Sequence, residues 1–276
     1  MKYGVNKKKN IKQGKGSGTL ENYSPWLDNR SFPSRGRVTR IKGVKTGRMH
    51  TFFSDLELKY FYLLEWSSEV IDIREQFPLL DDEKTTKETE EIAYEKGIKH
   101  PINRRDNTLN VFTTDFLITK EIDNKEVTVA RTLKYKKDLE KPRTIELFEI
   151  ERKYWENRRV EWGIVTEEDI PKIKVDNIKW LHKFADLEIS KKQMGISDKD
   201  IIEILRIINK ELHLEENREK KILDLIQILD SKYSLKNGTS LNLFKYAVFN
   251  KIIKINMMNE KINKNPYIFK ILLKGE

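Results

Sequence analysis

The periodicity of the apolar residues changes character once along this chain, near Pro171, and that change constrains the fold more than any single motif does. Before it, helical and strand-like spacings alternate. Leu56, Tyr60, Leu63 and Leu64 recur at i, i+4, i+7 and i+8 behind Ser54, a good N-cap, which predicts a helix from Ser54 to about Glu65. Val70, Ile71 and Ile73 predict a strand that stops at the turn at Pro78, and the charged run Asp81 to Lys99 reads as a loop or an exposed helix. In Val111 to Thr119, Phe112, Phe116 and Ile118 alternate with Thr113 and Asp115. In Glu126 to Lys134, Val127, Val129 and Leu133 oppose Thr128, Ala130, Thr132 and Lys134. The two strands predict a hairpin with its polar residues gathered on one side. A helix after Pro142 through Ile145, Phe148 and Trp155, then a short strand from Val160 to Val165, complete an α/β order. Beyond Pro171 the spacing is helical, with Ile201, Ile202, Leu205 and Ile208 on one stripe and Ile222, Leu225, Ile226 and Leu229 on another. A helix from Leu241 to Phe249 follows, and Ile253, Ile255 and Met257 alternate as in a strand or β-wing.

These patterns divide the 276 residues into an α/β domain over 1–168 and a smaller, mainly helical domain over 169–276. At the start of the first domain, NKKKNIKQGKGSG (Asn6 to Gly18) lies within a basic arm over 1–20, read either as a mobile solvated tail or as a segment lying along phosphates. The turn-rich stretch Tyr23 to His50, with Pro25, Pro33, Gly36, Gly43 and Gly47, is expected to wrap the domain. Fifty-four Lys and Arg against 44 Asp and Glu leave a formal charge of +10, which suits a polyanionic partner. The absence of cysteine excludes disulfides, zinc ribbons and thiol nucleophiles and fits a reducing cytoplasm. Four histidines without i, i+4 spacing argue that any metal is held by carboxylates. No stretch approaches the roughly 20 apolar residues of a membrane span, so a cytoplasmic, nucleoid-associated protein with no membrane partner is expected.

Phosphodiester hydrolysis needs a metal on the scissile phosphate, a positioned water and a cation for the charge that develops on the phosphoryl oxygens. On a small mixed sheet these come from an Asp at one strand end and an acidic-X-Lys tripeptide on the next, often with a glutamate from a preceding helix. Asp115, Thr132-Leu133-Lys134 and Glu57 match that order. The residues by themselves also admit a plainer account. Ser54 and Glu57 form an S-x-x-E capping box, and Lys134 opens a lysine-rich stretch with Lys136, Lys137 and Lys141.

A longer series of segments narrows the choice. YSPWL (Tyr23 to Leu27), KTGRMH (Lys45 to His50), SDLE (Ser54 to Glu57), EW (Glu65 and Trp66), DIREQFPLL (Asp72 to Leu80), IKHP (Ile98 to Pro101), TDFL (Thr114 to Leu117), ERKYW (Glu151 to Trp155) and NIKWL (Asn177 to Leu181) occur in this order. The series resembles the TnsA endonucleases of heteromeric transposases. The resemblance implies a restriction-endonuclease-like mixed sheet flanked by helices, followed by a smaller helical, winged-helix-like domain. It implies cleavage of the 5′ ends of a transposon with magnesium, for which manganese can substitute, beside a TnsB-like DDE transposase and under a TnsC-like AAA+ ATPase. It places the acidic residues at Glu57 and Asp115 and the catalytic lysine at Lys134, with Glu151 at a further acidic position. Thr132 departs from the family pattern, which has an acidic or amide side chain there; threonine is a poorer metal ligand, and as a candidate ligand it would act through water or its backbone carbonyl, which leaves the second metal site open. Two other readings share this fold: a module that no longer cleaves and serves DNA binding or ATPase docking, and a stand-alone restriction enzyme or junction resolvase. The helical domain is expected to dock a partner, with Lys245, Lys251 and Lys254 as the alternative DNA contacts.

Overall fold

A sheet whose strands are covered on both faces organises the first part of the chain. The computed structural model describes residues 7–27, 38–103, 107–188, 191 and 195–272. Two compact units are present, Met1–Ile170 and Pro171–Glu276. In the first, a hairpin of β1 (Thr39–Lys42) and β2 (Met49–Phe52) leads into helix α2 (Asp55–Trp66), preceded by the short α1 (Lys7–Lys12). Then come β3 (Val70–Pro78), α3 (Lys87–Glu95), β4 (Thr113–Ile122), β5 (Lys125–Leu133), α4 (Pro142–Asn157) and β6 (Glu161–Val165). The four-stranded sheet runs β3-β4-β5-β6; β5 and β6 are parallel and the other pairs antiparallel.

The expectation of a hairpin with one polar face is corrected here. On one face Leu117 and Ala130, direct partners across β4 and β5, are buried with Leu79, Ile92, Ile150, Tyr154 and Trp155 of the segments packed above them. On the other, the Phe116 ring lies 5.9 Å from Phe52 and 5.5 Å from Tyr60. A strand roofed on both sides must bury its small and polar residues too, which is why Ala130 and Thr132 lie inside. The stripe of α2 is also broader than its spacing predicts, because Phe61 is fully enclosed against His50 and Phe52.

The segments before α2 are tied to β3 by a buried ionic network. Arg48 donates to both carboxylate oxygens of Glu75 and to the Ile73 carbonyl, and His50 Nδ1 lies 2.8 Å from Glu75 Oε2 while its Nε2 meets the Thr46 hydroxyl at 2.7 Å. The Tyr23 ring lies 5.0 Å from the Arg48 guanidinium, and its hydroxyl donates to the Glu75 carbonyl. Burial alone would raise the Glu75 carboxyl, but the bonds from Arg48 and His50 outweigh it and hold it down at about 2. The described parts of the turn-rich stretch, 23–27 and 38–50, thus pack onto the first unit; residues 28–37, with Pro33 and Gly36, lie outside the described residues. The basic run differs from a solvated tail: Lys7–Lys12 is helical, and buried Asn10 donates to the Trp26 carbonyl.

The second unit is helical, with α5 (Lys172–His182), α6 (Asp198–His213), α7 (Ile222–Lys232), α8 (Thr239–Phe249) and the single-turn α9 (Ile268–Ile271). Ser197 and Asp200 close a capping box at α6, and the Asp230 carboxylate at the end of α7 accepts from the Gly238 and Ser240 amides at the start of α8. The face of α6 is rotated from the predicted stripe: Ile201, Ile204, Ile208 and Leu212 are buried, whereas Ile202 is exposed. The predicted β-wing is absent among the described residues. Ile253, Ile255 and Met257 are buried in a non-strand segment with one isolated bridge, Ile255 to Leu272. Buried Asn177 holds the chain just beyond by donating to the Met257 and Glu260 carbonyls and accepting from the Ile262 amide. No helix among the described residues is long and apolar enough to cross a membrane.

The Arg48–Glu75 pair yields a direct prediction. Arg48→Met leaves a buried carboxylate without its main partner, so the unfolding free energy at neutral pH should fall by about 3–5 kcal/mol. Urea titration would show this as a lower midpoint at unchanged slope; a midpoint equal to that of the parent would contradict it.

Candidate active site

The edge of the first unit where β4 and β5 part carries the candidate chemistry. The two strands pair from Ile122 and Lys125 as far as Phe116 and Arg131 and then diverge. Asp115 stands one residue beyond, and its Oδ2 accepts from the Leu133 amide at 2.7 Å, so a side chain takes over where the ladder ends. That bond fixes Asp115 and the 132–134 segment against each other. Lys134 follows β5, and its amide donates to the Val165 carbonyl of β6. Its ammonium is close enough to lower the proton affinity of Asp115.

Glu57 comes from the first turn of α2. Ser54 caps that helix by accepting from the Glu57 amide, while the Glu57 carboxylate accepts from the Ser54 hydroxyl at 2.7 Å and the Phe53 amide at 3.1 Å. Ser54 is thus the cap, while the Glu57 carboxylate reaches the Phe53 amide in place of the Ser54 amide that a capping box would use, and this local role does not exclude the other. The same bonds hold the carboxylate, which is nearly buried, where it feels the charge of Asp115. Burial and then that neighbouring charge raise Glu57, and burial raises half-buried Asp115 against the Leu133 and Gln76 hydrogen bonds and the Lys134 charge.

Thr132 and Glu151 belong to a separate buried cluster. Thr132 donates its hydroxyl to Glu151 Oε1, Thr114 donates to the same oxygen at 2.7 Å, and the Trp155 and Trp162 indoles donate to Thr114 and Thr132 at 2.7 and 3.3 Å respectively. The Thr132 hydroxyl is thus committed to α4. Asp115 thus lies near enough for its charge to act on Glu57 and on Glu151 and for that of Lys134 to act on it, while Thr132 is bonded to Glu151.

Comparison with known proteins identifies the family. A family profile described as TnsA-like endonuclease N terminal matches residues 67–167, and one described as TnsA endonuclease C terminal matches residues 169–257. The chain is 37% identical over 248 residues to the transposon Tn7 transposition protein TnsA of Escherichia coli, covering 90% of this chain and 84% of that protein. The chain belongs to the TnsA endonuclease family.

Several residues of this TnsA-family site are not evident from the sequence. Gln76 has a left-handed backbone at φ +52° inside β3, and its amide donates to Asp115 Oδ1 at 3.4 Å. Such a conformation at a non-glycine residue costs about 1–3 kcal/mol and persists only where neighbours enforce it. Glu75, which adds to the field raising Glu57, stands out in the sequence only as part of the DIREQFPLL segment. The presence of His50 and Arg48 in the short run KTGRMH is the available signal, since both are costly to bury without an acidic partner.

The donor set fits a divalent ion. Among the described residues no three His, Asp or Glu side chains converge as a closed cage. Magnesium does not require one: it keeps several waters and takes one or two carboxylates together with substrate phosphate. Two carboxylates raised by burial, with Glu57 raised further by the charge of Asp115, offer that open site beside a lysine.

Glu151 gives a test of the site's electrostatics. Burial raises its carboxyl to about 7 from an ordinary 4.5, against the threonine bonds that lower it. A raised carboxyl contributes stability that is complete at low pH and is lost as pH rises through the folded value. Glu151→Gln should therefore match the parent near pH 4.5, and gain on it between there and pH 8 by on the order of 1–3 kcal/mol. Calorimetric melting across that range reads the difference; a gap that does not widen with pH would contradict it.

Proposed function

We propose that this chain is a metal-dependent DNA endonuclease that cuts the 5′ ends of a transposon. Its family membership gives the coarse statement, a DNA-cleaving role in transposition. The observation that supports the finer one is that the Asp115 carboxylate is held on the Leu133 amide where β4 and β5 diverge, next to Lys134 in sequence, with Glu57 near enough to feel its charge.

In this reading Glu57 and Asp115 hold magnesium, with manganese as a substitute. The ion would supply electrophilic activation of the scissile phosphate when bound. Asp115 accepts from the Leu133 amide and the Gln76 side chain, and Glu57 from Ser54 and the Phe53 amide, so neither carboxylate has to reorganise on binding. Lys134 orients the attacking water and stabilises charge on the phosphoryl oxygens. Thr132 acts from behind, as a donor to Glu151, and is not a ligand. A TnsB-like DDE transposase would make the 3′ cuts and the joins, and a TnsC-like AAA+ ATPase would control both. The helical unit is the proposed partner-docking domain.

Asp115→Ala should abolish cleavage of end-bearing DNA in magnesium while the protein still melts cooperatively, and Thr132→Ala should cost far less. Equal loss in the two variants would overturn the assignment of roles. Retention of cutting by Asp115→Ala would remove the metal site proposed here. In the assembled complex, Lys134→Ala should cost about 10²–10³ in the rate of 5′ cleavage. Joining at 3′ ends should continue, so products should accumulate as branched fusions of donor and target. Simple insertions at the parental rate would show that Lys134 is not catalytic.

A further inference from the structure

Among the described residues, ten non-glycine positions have positive φ, and Gln76 is the one that is both buried and inside a strand. The others lie in turns, at helix ends or on exposed loops. A glutamine has no local reason to choose this backbone: it lacks the short side chain that lets Asn and Asp bond to their own turn. Something therefore enforces it. The Gln76 carbonyl accepts from the Trp26 amide at 3.2 Å, and the Trp26 carbonyl in turn accepts from the side chain of Asn10. Trp26 is itself almost fully enclosed. On the side-chain end, Gln76 Nε2 donates to Asp115 Oδ1 and Gln76 Oε1 accepts from the Thr113 hydroxyl, which fixes which end of the amide faces which partner.

We propose that Gln76 is a positioning residue for the metal site, whose left-handed backbone turns its amide onto the second oxygen of Asp115. This rests on the reading of Asp115 as a metal ligand. One carboxylate oxygen is held by the Leu133 amide and the other by Gln76, so the plane of the group is set before an ion arrives. With only the Leu133 bond, the carboxylate could rotate about its accepting oxygen. The series Asn10, Trp26, Gln76, Asp115 also ties the N-terminal segment to the chemistry, because that segment clamps the strand conformation from which the amide is presented.

The test compares the full chain with Gln76→Gly and Gln76→Asn. Glycine adopts this φ freely and asparagine tolerates it, while neither carries an amide long enough to keep the Asp115 bond. Both variants should melt at or above the parental temperature. Manganese binding by titration calorimetry, without DNA, should weaken about 10-fold or more, and kcat for DNA cleavage should fall by a similar or larger factor at unchanged KM. Parental manganese affinity in either folded variant would overturn the proposal. So would melting of both far below the parent, which would make Gln76 a structural residue. Asp115→Ala run alongside separates the two ideas: if it binds manganese as the parent does, the metal-site reading fails, whereas loss of binding there with none at Gln76 refutes the positioning role alone.

Discussion

The hydrogen bond from the Leu133 amide to Asp115 is the contact on which the site depends. Antiparallel strands that part must leave backbone donors unpaired, and a buried unpaired amide costs about 1–3 kcal/mol. Here the side chain of Asp115 satisfies that donor, and the same act brings a carboxylate to the mouth of the sheet beside Lys134. Everything around it serves to keep the divergence in place. The Thr114–Glu151–Thr132 cluster ties both strands to α4, and the Arg48–Glu75–His50 network ties the preceding hairpin to β3.

The electrostatics of the two networks differ in a way that separates structure from chemistry. Glu75 is buried with a bidentate arginine and a histidine, and its carboxyl is held low; it is a settled ion pair. Glu57 and Asp115 are raised, because burial, and at Glu57 the charge of its neighbour, are not answered by an equivalent cation within the chain. A protein that keeps two carboxylates in this condition gains by binding a divalent ion, and loses stability without one as pH rises through their raised values.

Much of this is legible in the sequence. Spacing alone gives α2, the three strands, α4 and β6 in order, because apolar periodicity reports which face is covered. The S-x-x-E box locates Glu57 in the first turn of its helix. Alternation puts Ala130 and Thr132 together but carries no information that α4 roofs them, so it suggests an outward, poor ligand at Thr132 where the structure has a buried donor to Glu151. Gln76 leaves no mark, since nothing about a glutamine in a strand announces a left-handed backbone. The alternation of Ile253, Ile255 and Met257 misleads for a related reason: all three are buried, but their backbone runs through turns with a single bridge at Ile255, and Asn177 holds the Met257 carbonyl, so period two here does not mark a strand.

The central claim is that Glu57 and Asp115 share one divalent ion while Thr132 stays bonded to Glu151. Crystals grown with manganese and measured at its absorption edge would test this most directly. The expected result is an anomalous peak between the Glu57 and Asp115 carboxylates, within about 2.0–2.3 Å of an oxygen from each. A crystal with no peak there, or with the ion bound instead by Thr132 and Glu151, would contradict it.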